Sequence, residues 1–228
     1  MKDEIKYWYL RNHKLFDHLT ENDVNSLCII SSFKQGSKND IIFFSDTDKR
    51  RLYTIKFGTL KICHQDENGN EVITELLTEH DIFGYINLSD SSVGHSDEYA
   101  KVLSDSITIC SFEVDKFKMV LQNNPDLSIR YSSFISEKLL AFQQKYSDLI
   151  FKDVSTRVKE FFRRYAKYHG KEINGSVEMD MMLTHQEIAD YTASSRQSVT
   201  SIINKLVEEG RIIYEGRKKV IIPDMDKL

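Results

Sequence analysis

The chain has 228 residues, of which 40% are hydrophobic and 29% charged, and a formal net charge of −4. That balance fits a globular protein of one large or two ordinary domains. No run approaches the roughly 20 apolar residues that a membrane helix requires, and Met1-Lys2-Asp3-Glu4 leads into a polar aromatic segment instead of an apolar signal core, so a cytoplasmic chain with no membrane partner is expected.

Leu10, Leu15, Phe16, Leu19, Val24 and Leu27 are spaced as short amphipathic helices require, and Thr20 can cap the segment that begins Glu21-Asn22-Asp23. From Ile29 to Glu113 the pattern changes to short runs of Ile, Phe, Val and Thr separated by turn clusters, which predicts antiparallel strands in a sandwich or barrel. The clearest hairpin joins Leu60–His64 to Glu71–Leu77 through a turn containing Asn68-Gly69. At Asn124-Pro125 a capping residue and a first-turn proline open a long helix, which neither Gly nor Pro interrupts from Asp126 to Ser155. Ile135, Leu139, Phe142, Tyr146 and Leu149 recur there at spacings of four and three, the seam of a two-helix coiled coil. A face that covers the β-domain would show the same spacing. Roughly 30 helical residues span about 45 Å, however, more than one small barrel can cover.

Cys28, Cys63 and Cys110 are odd in number and scattered, which argues against disulfides and against a CxxC pair, so reduced thiols are expected. Charge is divided unevenly along the chain. Residues 154–222 carry 12 Lys+Arg against 9 Asp+Glu, a net of +3, whereas residues 1–153 carry −6. An acidic sensory part joined to a mildly basic nucleic-acid part would have this asymmetry.

The most informative stretch runs from Leu183 to Leu206. Thr184 and Glu187 form a capping-box pattern for one helix, Thr192-Ala193-Ser194 is a short turn, and Ser195 can cap a second helix. Val199, Ile202, Ile203 and Leu206 would face inward, leaving Arg196, Gln197, Thr200, Ser201, Asn204 and Lys205 outside. Such a stripe supplies the hydrogen-bond groups that read base edges. Two strand patterns follow, Gly210–Tyr214 and Lys219–Ile222, around the tip Glu215-Gly216-Arg217-Lys218, as a β-wing that touches the DNA backbone would have them.

With Gln186-Glu187-Ile188-Ala189 and Ser195-Arg196-Gln197-Ser198-Val199 in place, the chain resembles the CRP/FNR superfamily of bacterial transcription regulators. The resemblance extends to Leu15-Phe16 with Leu19, to Leu52-Tyr53-Thr54-Ile55 with Gly58, and to Asp81-Ile82-Phe83-Gly84. It implies an α+β chain: an N-terminal antiparallel, jelly-roll-like β-roll sensor domain (1–124), a dimerisation helix (125–152) and a C-terminal winged helix-turn-helix domain (153–228). A homodimer would bind a pseudo-palindrome in double-stranded DNA through Ser195, Arg196, Gln197, Ser198, Thr200 and Ser201, with Lys205, Arg217, Lys218 and Lys219 at phosphates and RNA polymerase as a further partner.

Two features depart from the family pattern. Ala193 stands where the turn usually has Gly. Cyclic-nucleotide-binding members hold ribose and phosphate with Gly-Glu and Arg-Ser pairs, but here Gly84 precedes Tyr85 and the later stretch reads Ser96-Asp97-Glu98-Tyr99. Carboxylates there would repel a phosphate, which argues against cyclic AMP. An iron–sulfur cluster needs about four neighbouring thiolates and is not expected. A haem would need one well-placed imidazole; His13, His18, His64, His80 and His95 qualify by type, and His80 occupies a common turn-glycine position of the family. The effector stays unassigned.

Two other classes are open to comparison. An enzyme on a cupin-like barrel would need a metal-binding His-x-His pattern, and neither that nor His-Glu-x-x-His, Gly-x-Ser-x-Gly or a phosphate loop occurs, so neither catalysis nor a metal site is expected. A protein-binding winged helix, or a regulator controlled only by its abundance, would keep the same pattern; binding to promoter against random DNA separates the first from a gene regulator.

Overall fold

The computed structural model describes residues 2–43, 50–65, 69, 71–84, 98–216 and 218–228. It divides into two compact units, residues 1–70 with 74–141, and residues 71–73 with 142–228.

The first unit opens with α1 (Lys2–Arg11) and α2 (Glu21–Ile30), followed by β1 (Ser31–Ser37), β2 (Ile41–Phe43), β3 (Arg51–Phe57), β4 (Leu60–Gln65), β5 (Glu71–Leu77), β6 (Ile82–Gly84), β7 (Glu98–Val102) and β8 (Ser106–Glu113). Thr20 caps α2 in a full capping box with Asp23. The strands make two four-stranded sheets, ordered β1-β8-β3-β6 and β2-β7-β4-β5, with the predicted β4–β5 hairpin adjacent in the second. Strand alternation then sorts the side chains between two cores. Tyr53, Ile55, Phe83, Ile107 and Ile109 of the first sheet meet Leu60, Ile62, Leu77, Ala100 and Val102 of the second. From the first sheet's other face, Leu52, Ile82, Cys110 and Phe112 pack with Leu10, Phe16, Leu27, Phe117, Leu127 and Tyr131. Both faces of β3 and β8 are therefore covered, whereas the edge strand β1 keeps Lys34, Gln35 and Ser37 exposed.

A helix not predicted from the sequence, α3 (Val114–Asn123), precedes α4 (Pro125–Phe151). Asn124 opens α4 as expected, its side-chain oxygen accepting from the Leu127 amide at 2.9 Å. Helix α4 stops at Phe151, one residue short of the expected 125–152, although no Gly or Pro interrupts the chain up to Ser155, and α5 (Val154–His169) begins anew. The break lies at Asp153, which adopts extended backbone and accepts from the Thr156 amide at 2.7 Å. An Asp at such a position competes with the helix by capping the next one.

The second unit adds β9 (Gly170–Ile173), β10 (Ser176–Asp180), α6 (His185–Thr192), α7 (Arg196–Glu208), β11 (Ile213–Glu215) and β12 (Lys219–Ile222). Its strands form one sheet ordered β11-β12-β10-β9. Asn174 and Gly175, both at positive φ, turn the β9–β10 hairpin. The buried face of α5 is Val158, Phe161, Phe162, Tyr165 and Ala166. Tyr165 ties it to the sheet: its hydroxyl donates to the Asp180 carbonyl at 3.0 Å and accepts from the Met182 amide at 3.1 Å. No helix among the described residues is long and apolar enough to cross a membrane.

Candidate nucleic-acid interface

Helix α6 starts where Thr184 and Glu187 exchange caps, the Glu187 amide donating to Thr184 Oγ1 at 3.2 Å and the Thr184 amide to Glu187 Oε2 at 2.8 Å. Ile188 and Ala189 are buried on its inner side. It ends at Ala193, which lies in the left-handed region at φ 48° and ψ 57° and donates its amide to the Ala189 carbonyl. Arg157 holds this turn from α5. Its guanidinium donates to the carbonyls of Thr192 at 2.9 Å, Ala193 at 3.1 Å and Lys152 at 2.7 Å. These carbonyls would otherwise be left over by the helix end and the αL turn.

Ser195 caps α7, accepting from the Ser198 amide at 3.1 Å, and its hydroxyl also pairs with that of Ser198 at 2.8 Å. Val199, Ile203 and Leu206 are buried, whereas Ile202, expected inside, is only half-buried. Arg196, Gln197, Ser201, Asn204 and Lys205 are exposed along the other side. Thr200 departs from the expected stripe. It is half-buried, and its hydroxyl donates to the Arg196 carbonyl at 2.8 Å while lying 2.9 Å from His185 Nδ1.

The wing strands β11 and β12 pair antiparallel, Glu215 opposite Lys219. Lys218 is exposed at the tip. Lys219 is engaged within the protein, with Glu178 Oε2 at 2.7 Å and Glu215 Oε2 at 3.1 Å, and these partners raise its pKa. Arg217 lies outside the described residues.

This unit carries the match that places the chain among known proteins. Residues 156–228 match the family model described as a Crp-like helix-turn-helix domain, and residues 33–124 match the cyclic nucleotide-binding domain. The chain belongs to the CRP/FNR superfamily. It is similar to the global nitrogen regulator of Synechocystis sp., 26% identical over 186 residues and 81% of each chain. It is also similar to the CRP-like cAMP-activated global transcriptional regulator of Mycobacterium tuberculosis, 27% identical over 178 residues and 78% of each chain. In fold it is similar to FixK2 of Bradyrhizobium japonicum, with a TM-score of 0.74, 14% identity and coverage of 87% of this chain and 95% of that one. The chain is thus a CRP/FNR-type transcriptional regulator.

Other residues singled out in this CRP/FNR chain are placed as follows. Leu139, Phe142, Tyr146 and Leu149 are exposed on α4, but Ile135 is half-buried and packs against the core formed with α1, α2 and α3. His80 does hold a turn-glycine conformation, φ 71°. His13 is buried, with Nε2 2.7 Å from Thr54 Oγ1 and Nδ1 accepting from the Leu15 amide at 3.1 Å. Tyr85, His95, Ser96 and Asp97 lie outside the described residues, and Glu98 sits on β7 opposite His64. Cys28, Cys63 and Cys110 are buried and form no disulfide, and burial pushes the Cys110 thiol up to about 12. Among the described residues no three His, Cys, Asp or Glu side chains are grouped to hold a metal ion.

Proposed function

We propose that the chain is a homodimeric, sequence-specific DNA-binding regulator that reads a pseudo-palindromic site through α7 and answers to a signal other than cyclic AMP. The observation that carries this reading is the exposed stripe Arg196, Gln197, Ser201, Asn204 and Lys205 on a capped helix, held by a braced turn against its partner helix. The N-terminus of α7 brings a partial positive charge toward a phosphate-rich surface. Arg196 is assigned to guanine, whose O6 and N7 its fork matches, and Gln197 to adenine or a neighbouring base. Ser195 and Ser198 approach the sugar–phosphate backbone, while Lys205, Arg217 and Lys218 contact phosphates or steer association.

The exposed apolar face of α4 supports the dimer, because Leu139, Leu140, Phe142 and Tyr146 are each more than half exposed in a single chain. Glu98, with Asp97 beside it in sequence, supports a signal other than cyclic AMP, which the mycobacterial relative's name attaches to that protein. Such a regulator works in the cytoplasm with RNA polymerase as its further partner.

Selection from a random-sequence duplex library followed by salt titration tests the assignment. Arg196→Ala should lose about 1–3 kcal/mol on the selected site and relax its preference, while Lys218→Ala should weaken every sequence alike and flatten the salt dependence. Equal loss on selected and scrambled duplexes in Arg196→Ala would remove Arg196 from base reading.

A further inference from the structure

We propose that His185 and Thr200 form a positioning pair that aims the first turn of α7, and that the Thr200 hydroxyl sets sequence discrimination without touching a base. This rests on the reading of α7 as the recognition helix. A hydroxyl carries a single proton. Thr200 gives that proton to the Arg196 carbonyl one turn back, at 2.8 Å. Its oxygen can then only accept from His185 Nδ1 at 2.9 Å, so the imidazole carries its proton on Nδ1. Burial, with the Arg196 charge nearby, holds His185 below the usual imidazole range, which keeps it neutral with that one proton.

The result is a chain of two hydrogen bonds from the first residue of α6 to the first residue of α7. The carbonyl at its end belongs to Arg196, the residue assigned to guanine. A threonine that bonds its own preceding turn draws that carbonyl aside and bends a helix locally. The imidazole fixes the threonine's rotamer and with it the direction in which the Arg196 carbonyl is drawn. Arg196 then leaves α7 from a backbone held at two points, the Ser195 cap and the Thr200 bond. A bidentate contact depends on fork geometry, and small misdirection of the first turn degrades it more than it degrades phosphate contacts.

The test measures affinity of the full chain for the duplex selected from the random library and for its scramble, in wild type, Thr200→Val, Thr200→Ser, His185→Ala, the His185→Ala/Thr200→Val double variant and Arg196→Ala. Thr200→Val keeps the shape and removes the hydroxyl; it should lower the selected-to-scrambled ratio about tenfold, with most of the loss falling on the selected duplex. His185→Ala should do the same, and the double variant should lose no more than either. Thr200→Ser should stay within about twofold of wild type. If Thr200→Val loses discrimination while His185→Ala keeps it, Thr200 reads a base directly and the pairing is overturned. Loss of both affinities in parallel with a lower thermal midpoint would reduce the pair to a structural contact and overturn it as well. Arg196→Ala separates this from the underlying reading. A wild type that does not discriminate, or an Arg196→Ala variant that discriminates fully, sinks the recognition-helix assignment and the pair with it.

Discussion

Ala193 and His13 are residues whose surroundings set a measurable energy. A left-handed backbone disfavours Ala by about 1–2 kcal/mol, and the turn tolerates it because Arg157 satisfies the Thr192 and Ala193 carbonyls. Ala193→Gly removes the strain but loosens the unfolded chain, so a net gain of about 0.5–1 kcal/mol is expected, or about 1–4 °C in a thermal melt. A lower midpoint would show that the turn carries no strain. His13 is 1% exposed, and burial, with the neighbouring His80, pushes its pKa down to about 3. Its unfolded value is about 6.5. Above that value both states are neutral; below it the unfolded chain takes a proton that the folded chain refuses. Stability held in full above pH 6.5 is therefore lost as pH falls toward 3, by about 1.4 kcal/mol per unit. Between pH 7.5 and 5, urea unfolding should show wild type losing about 2 kcal/mol more than His13→Gln, and parallel losses would clear His13 of the effect.

At the level of the element, helix starts were legible because capping is local: Thr20, Asn124, Thr184 with Glu187, and Ser195 each sit within three residues of the amide they satisfy. The boundary at 152–153 was expected, but Asp153 was not legible as a cap, since an Asp inside a helix and an Asp that caps the next one look alike in sequence. The β9–β10 hairpin carried an overlooked signal, the dipeptide Asn174-Gly175. Arg157, and the His185–Thr200 contact, join residues 35 to 36 and 15 positions apart, and no periodicity encodes them. Periodicity also cannot distinguish a face packed on the chain's own core from one that awaits a partner, and Ile135 shows it: it completes the four-three series yet packs on the α1–α3 core. The two kinds of position should respond differently to charge. Leu139→Glu with Phe142→Glu should yield folded monomers in light scattering, while Ile135→Glu should lower the melting temperature. A dimer that persists in the first variant would place the interface elsewhere.

For the whole molecule, the sign of charge follows the division of labour, −6 over residues 1–153 and +3 over residues 154–222. A net of +3 is small for a nucleic-acid binder, and Lys219 spends its charge on Glu178 and Glu215. Non-specific affinity should accordingly be modest and, with few phosphates neutralised, only shallowly dependent on salt, leaving base contacts to supply selectivity. One α7 reads only a few base pairs, so a useful site requires two copies acting together. Two-fold symmetry then demands inverted half-sites whose centres lie about one helical turn apart, roughly 34 Å, on one face of the duplex. Inserting about 5 base pairs, half a turn, between them would carry the second half-site to the opposite face. Binding to that duplex should fall to the level of a duplex with a single half-site, and the footprint should shrink to one side. If affinity is indifferent to the spacer, the two recognition helices act independently, and the dimer geometry proposed from α4 is wrong.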